Sequence, residues 1–179
     1  SGLAAIATAA ELIRSGAADR IVAGGADEYP PAIDRAWRAL RIVAREGAVP
    51  PVGSSEGRAG RFAPGEGAYF VVLESGEEAG GRGAVPWCAV RRVEVSHRSC
   101  EPHRRPVVAE SGWPIRSAIG ECGAASAAAA LMAALSIRDR IPPPPGSSSG
   151  PGAGEGRFPV RAAGAGGADV TVVLEPAGD

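Results

Sequence analysis

The sequence lacks several features that would point to particular protein classes. None of its 19 basic residues is lysine and its net charge is −1, so it has no excess of positive charge for binding nucleic acid. No apolar run approaches the ~20 residues that a membrane span requires. No charged segment followed by an apolar core suggests a secretory signal at the start of the chain. These absences predict a cytoplasmic globular protein that binds neither nucleic acid nor membrane.

Cysteine and histidine are also scarce. Cys88, Cys100 and Cys122 are an odd number of cysteines at irregular spacing, which favours reduced thiols over a disulfide framework. The two histidines, His97 and His103, flank Cys100, but their spacing matches no compact zinc motif and no fourth ligand lies nearby. The sequence therefore predicts a solvated arginine- and histidine-rich loop here, with neither a metal nor a cofactor.

The first 28 residues predict a helix that leads into a buried strand. Ser1 can cap the helix, and Gly16 can end it in the left-handed conformation. Arg20–Ala23 is short and apolar, which is typical of a strand covered on both faces, and Gly24-Gly25 then allows another backbone to come close. The apolar residues on one helical face are Leu3, Ile6, Ala10 and Ile13.

Further elements follow along the chain. Pro30-Pro31 predicts the start of a surface helix that runs to Gly47, and its apolar spacing predicts one buried stripe. Tyr69–Glu74 reads as a central strand, Ser75–Gly83 as a weak helix or turn, and Val85–Val95 as another strand. The predicted buried stripe of the surface helix consists of Ile33, Trp37, Leu40 and Val43.

Gly65-Glu66-Gly67 predicts a tight turn before the strand at Tyr69. The glycines permit close backbone approach, and the Glu66 carboxylate can accept hydrogen bonds from N–H groups of the turn. We interpret Glu66 as a structural turn carboxylate in preference to a catalytic one.

The last third of the sequence predicts an alanine-rich helix that continues through Leu131 and Ile137 and ends at the prolines 142–145. Its small residues would allow close packing. Residues 142–156 predict a flexible loop, and Val170–Glu175 a final strand. Gly164, Gly166 and Gly167 precede that strand; they lack the Lys-Ser/Thr pair and the following helix of a phosphate-binding loop.

In this order, the motifs resemble those of the β-ketoacyl synthases, the condensing enzymes of fatty-acid and polyketide synthesis. Ser1-Gly2 is similar to the second half of that family's Cys-x-Ser-Gly turn, which opens a helix. Ala23-Gly24-Gly25 with a following acid is similar to the end of the strand that comes after that helix in the family. Phe62–Glu74 resembles its Gly-Phe, Gly-Glu-Gly-Ala and Leu-Glu strand, with Arg61 in place of the first glycine. The loop at Gly164, Gly166 and Gly167 resembles its glycine-rich loop before the closing strand.

The resemblance also implies where catalytic residues would stand. Ser117–Ser126 resembles the family's Lys-Ser-x-x-Gly-His-x-x-Gly-Ala-Ala, which places Arg116 at the lysine and Glu121 at the second catalytic histidine. The nucleophilic cysteine would fall two residues before Ser1, and neither histidine is followed by the family's Gly-Thr. Cys122 stands at the predicted helix start, where the macrodipole favours a thiolate, but Glu121 opposes it, so we favour a buried structural cysteine.

The resemblance implies an α/β protein with the thiolase-like layered fold, in which mixed sheets are covered by helices. Residues 1–83 would be the end of the first ketosynthase half and residues 84–179 an abbreviated second half. The favoured function is a non-catalytic partner subunit, similar to a chain-length factor, or a remnant. The alternatives are a fragment of an active 3-oxoacyl-acyl-carrier-protein synthase and an acyl- or acyl-carrier-binding module. The expected partners are an acyl carrier protein and a ketosynthase subunit, in a dimer or heterodimer.

Overall fold

The computed structural model describes residues 2–43, 63–97, 115, 119, 122–142, 156–163 and 168–178. These contain two antiparallel sheets, one of two strands in the order β1-β2 and one of three strands in the order β3-β5-β4. Within these ranges no helix is long and apolar enough to cross a membrane. The elements are α1 (Gly2–Arg14), β1 (Arg20–Asp27), α2 (Pro31–Ala39), β2 (Gly67–Glu74), α3 (Gly76–Gly81), β3 (Ala89–His97), α4 (Ala125–Asp139), β4 (Phe158–Ala163) and β5 (Ala168–Glu175).

Helix α1 is close to its prediction. Leu3, Ile6 and Ala10 are buried on one face, whereas Ile13 is only half-buried. Gly16 ends the helix with a φ of 74°, and its N–H donates to the carbonyl oxygen of Ile13 at 3.0 Å. Glycine takes this left-handed conformation without a Cβ penalty, so the stop is encoded locally.

Helices α1 and α4 pack against each other, and each contacts both sheets. The shared core draws on both sheets and both helices, and its largest fully buried side chains are Leu3, Val160 and Val172. Seven alanines of α4 are buried, which confirms the close packing predicted for its small residues. The helix ends at Asp139, and its C-cap residue Arg140 takes the left-handed conformation with a φ of 55°, shortly before Pro142, the first of the prolines that were predicted to stop it.

The two-stranded sheet corrects the prediction that Arg20–Ala23 is covered on both faces and that Tyr69–Glu74 is a central strand. β1 pairs in register with β2 alone among the described strands, and side chains alternate between a covered and an open face. Val22, Phe70 and Val72 are 68%, 53% and 59% exposed on the open face. An apolar run favours burial, but it does not specify how many layers cover the strand.

Helix α2 is shorter than predicted, and of its predicted stripe only Val43, which lies beyond the end of the helix, is buried. It ends at Ala39, and Arg41 takes a φ of 56°, so the helix does not run on toward Gly47, which lies outside the described residues. No residue of α2 is buried, and Leu40 is 68% exposed. Helical periodicity identifies an amphipathic helix, but which surface covers its apolar side depends on the tertiary structure.

The second sheet differs from the prediction at two strands. β3 begins only at Ala89. Val85 and Trp87, which the prediction included in this strand, precede it and are exposed. β4 was missed: the sequence predicts no strand between the loop at 142–156 and the final strand, whereas Phe158–Ala163 pairs with β5 in an antiparallel ladder. β5 contains the predicted strand and lies in the middle of this sheet, where Val172 is fully buried.

Candidate functional site

The amino-terminal ends of α1 and α4 meet beside the carboxyl end of β1. The Leu3 N–H, in the first turn of α1, donates to Ser126 Oγ at 3.1 Å. The Gly123 N–H, just before α4, donates to Asp27 Oδ2 at 2.5 Å. The first N–H groups of a helix have no partner within the helix, so the bond to Ser126 satisfies a donor of α1 that would otherwise be unpaired. The bond to Asp27 ties the residue before the N-cap of α4 to the end of β1. We call this region the helix junction; it comprises Gly2, Leu3, Gly25, Asp27 and residues 122–127.

Small residues allow the backbones to come close at the helix junction. A Cβ added to Gly2 would lie 2.5 Å from the Cβ of Ala127, and one added to Gly25 would lie 3.1 Å from the Cα of Gly2. The same added Cβ on Gly25 would lie 3.5 Å from the Cα of Ala124. The close approach predicted from Gly24-Gly25 is therefore confirmed, and it brings β1, α1 and the start of α4 together.

Cys122 lies at the helix junction, two residues before the N-cap position of α4. It is buried with Ala124 and Ala125, and Tyr69, Ile115 and Ile119 pack against this group. A cysteine in such apolar surroundings behaves as a small hydrophobic residue. Its packing agrees with the interpretation of Cys122 as a structural cysteine.

The turn at Gly65-Glu66-Gly67 is tied to the segment that follows β1. Glu66 Oε2 accepts a hydrogen bond from the Tyr29 N–H at 3.2 Å, across 37 positions in sequence, so its donor is not in its own turn. A Cβ on Gly67 would lie 2.8 Å from the ring of Tyr69, so the glycine leaves room for that side chain. The Glu66 side chain thus holds the backbone of the segment that follows β1.

A polar cluster surrounds Tyr29 beyond the end of β1. The Tyr29 hydroxyl donates to Asp34 Oδ1 at 2.8 Å, and Arg38 Nε donates to the same carboxylate at 2.7 Å. Desolvation, followed by the hydrogen bond to Asp34, raises the pKa of Tyr29. The hydrogen bond from Tyr29 in turn lowers the pKa of Asp34, with Arg38 contributing. The Tyr29 ring also packs against Trp37 at 5.3 Å between centroids.

Several residues singled out in the sequence lie outside the described residues, namely Arg116, Glu121, Gly164, Gly166 and Gly167, with Cys100 and His103. His97 is described, and it lies exposed at the end of β3, paired with Ala168. Within the described ranges no three histidine, cysteine, aspartate or glutamate side chains are grouped to hold a metal ion.

Sequence reasoning missed Asp27 and Ser126. The available signals were weak: Asp27 is the acid that follows Gly24-Gly25, and Ser126 follows the Gly-Ala-Ala motif. Neither residue has a local sequence pattern that names its hydrogen-bond partner, because the two bonds join residues 96 and 123 positions apart.

Comparison with known proteins shows which family the first part of the chain is similar to, and which fold the chain has. Residues 1–79 match the family described as "Beta-ketoacyl synthase, N-terminal domain". Nodulation protein E of Rhizobium sp. (strain N33) is 43% identical over 81 residues, which are 45% of this chain and 19% of that relative. The chain thus spans about a fifth of the length of this curated relative.

Solved ketosynthases share the fold over almost the whole chain. The ishigamide ketosynthase/chain length factor aligns with a TM-score of 0.70 and 17% identity, over 99% of this chain and 59% of that one. A type II polyketide synthase acyl-carrier protein in complex with its ketosynthase gives 0.71 and 18%, over 98% and 60%. These likenesses establish the thiolase-like fold that the sequence predicts. The family match covers the first 79 residues, so this part of the chain is similar to the N-terminal domain of the β-ketoacyl synthases.

Proposed function

We propose that this chain is a non-catalytic member of the β-ketoacyl synthase family that acts as a partner subunit of an active ketosynthase, in the manner of a chain-length factor. The observation that carries the proposal is the closed helix junction. The resemblance puts the family's nucleophile just before α1 and its second histidine just before α4. At these helix starts, side chains of the protein itself take the Leu3 and Gly123 N–H groups.

The chemistry of condensation supports the proposal. A decarboxylative condensation needs a thiolate to hold the acyl group and two histidines to stabilise the enolate that forms as carbon dioxide leaves. The sequence has Glu121 at the position of the second histidine, and a carboxylate there would oppose a developing negative charge. Cys122, the cysteine next to Glu121 in the sequence, is packed among apolar residues. These residues suit a packing role better than covalent catalysis.

The fold relatives indicate which partners to test. One solved relative is a ketosynthase/chain length factor, and another is a ketosynthase in complex with its acyl-carrier protein. Both kinds of assembly belong to those proteins, and by analogy we propose a ketosynthase subunit and an acyl carrier protein as partners of this chain.

A second candidate is a fragment of an active 3-oxoacyl-acyl-carrier-protein synthase whose cysteine lies upstream of Ser1. The observation in its favour is the coverage, because the matched region is 19% of the length of nodulation protein E. The two candidates differ in whether an upstream extension restores condensation.

The experiment compares three proteins with acyl- and malonyl-acyl-carrier thioesters: this chain, a version extended upstream to include the family's cysteine, and the extended version carrying Glu121→His. We expect no 3-oxoacyl product from any of them. We also expect this chain to co-purify with a ketosynthase from the same genome. Condensation by the extended chain without further change would establish the second candidate, and product from the 179-residue chain itself would refute the proposal.

A further inference from the structure

We propose that Asp27 and Ser126 form a reciprocal clamp at the helix junction, as positioning residues that hold the starts of α1 and α4 in one fixed relation. This inference does not rest on the proposed function, because it concerns how the junction is held and applies to a catalytic or a non-catalytic protein.

The two bonds cross between the amino- and carboxyl-terminal parts of the chain in opposite directions. Asp27 ends β1, in the amino-terminal part, and accepts from the Gly123 N–H that precedes α4. Ser126 lies in the first turn of α4, in the carboxyl-terminal part, and accepts from the Leu3 N–H in the first turn of α1. Each part therefore supplies the acceptor for a helix start of the other.

Helix α4 has no side-chain cap from its own N-cap residue. The N-cap position of α4 is Ala124, which has no capping side chain, and the N-cap position of α1 lies outside the described residues. An N-cap side chain normally satisfies one of the first N–H groups of a helix. Asp27, a residue of another element, binds the Gly123 N–H one residue before the N-cap, and so ties the segment that leads into α4 to β1.

Close packing makes the two bonds interdependent. Gly2 and Ala127 have no space between them for an added methyl group, and Gly25 lies against both Gly2 and Ala124. A shift of α4 that lengthened the Asp27 bond would move Ser126, which belongs to the same helix start. We therefore expect the loss of either acceptor to weaken the bond made by the other.

The consequence for the site is that both backbone donors are already occupied. Helix N-termini attract anions through their unpaired N–H groups. Here the clamp uses the Leu3 and Gly123 donors for a contact between the two parts of the chain. Asp27 and Ser126 thus position the backbone on which the family's active-site residues would stand.

The test is a crossed measurement of amide hydrogen exchange on the 179-residue chain by NMR. Asp27→Ala is read at the Leu3 amide, which Asp27 does not contact, and Ser126→Ala is read at the Gly123 amide, which Ser126 does not contact. If the two bonds form a clamp, each variant should raise the hydrogen-exchange rate of the distant amide by about tenfold. The exchange rate of the Val172 amide, in the buried middle strand, should stay unchanged. Asp27 is exposed, so its truncation leaves the core intact.

Two matched variants serve as controls. Asp27→Asn keeps an acceptor oxygen, so the exchange rates of the Leu3 and Gly123 amides should stay within about threefold of the wild-type rates. Ser15→Ala removes a hydroxyl at the other end of α1, where it donates to the Leu12 carbonyl oxygen at 3.0 Å, and should affect neither amide. The inference is overturned if each alanine variant changes only its own amide, if Val172 accelerates equally, or if Asp27→Asn behaves like Asp27→Ala.

Discussion

Cys88 illustrates how a single residue takes its character from its surroundings. It lies just before β3 and packs against the main core. Burial raises the pKa of its thiol from 9.0 to about 11. The neutral thiol is therefore the form that the fold accommodates, and Cys88 serves as a core residue at physiological pH.

This pKa predicts how stability depends on alkaline pH. The unfolded chain releases the Cys88 proton near pH 9.0, whereas the folded chain holds it until about pH 11. The folded state thus binds more protons in this window, so the free energy of unfolding falls as pH rises, by about 2–3 kcal/mol from this group. The full contribution is present below pH 9.0 and is lost by about pH 11.

Chemical denaturation between these pH values, on the wild type and on Cys88→Ala, measures this contribution. The difference in the free energy of unfolding between the two proteins should shrink as pH rises. The chain has no lysine, so few other side chains titrate in that window. A constant difference across the window would contradict the burial of the neutral thiol.

At the scale of elements, the pairing of β1 with β2 shows what one small residue contributes. Gly24 lies opposite Phe70 in the ladder. A Cβ added to Gly24 would lie 2.0 Å from the Tyr69 carbonyl oxygen and 2.8 Å from the Phe70 ring. The backbone oxygen cannot move without disturbing the ladder, so the sheet requires glycine at this position.

We expect Gly24→Ala to lower the free energy of unfolding by about 1–3 kcal/mol, because the added methyl group overpacks the strand pair. The matched control is Gly80→Ala in α3, where no atom lies within 4 Å of the added Cβ. The control should be neutral or more stable by up to about 1 kcal/mol, since alanine favours a helix over glycine. Urea denaturation of both variants is the measurement, and equal effects would show that the close contact at Gly24 does not limit the sheet.

At the scale of the whole molecule, the open face of the β1–β2 sheet is the main departure from a fully covered fold. Val22 and Val72 are cross-strand partners on it, and Phe70 lies beside them. The end of this face carries the ion pairs of Arg20 and Arg82 with Glu74, whose own side chain is largely covered. A contiguous apolar face of this kind is typical of an interaction surface or of a site of self-association.

We therefore expect that the 179-residue chain is not a stable monomer by itself. Replacing the cross-strand pair by Val22→Thr with Val72→Thr should reduce its association, because threonine keeps the strand preference while making the face more polar. The control is Val85→Thr, which changes a valine that is 88% exposed but lies outside the sheet. Light scattering gives the mass of each protein, and a monodisperse wild-type monomer would contradict this expectation.

Much of the fold could be predicted from the sequence because it depends on neighbours along the chain. The α1 helix and its stop at Gly16, the alanine-rich α4 and the final strand all follow from residue spacing and local backbone preference. The ketosynthase motifs in their order also predicted the thiolase-like fold. These features need no knowledge of what lies on the other side of a strand or helix.

The tertiary structure alone decided which apolar faces are covered and how the helix junction is held. The open face at Val22 and the exposed Leu40 belong to segments whose local patterns are those of buried elements. The acceptors at Asp27 and Ser126 join residues 96 and 123 positions apart, so no local pattern encodes them. Burial and non-local hydrogen bonds depend on the positions of elements relative to one another, and these positions are set only when the helices and sheets pack.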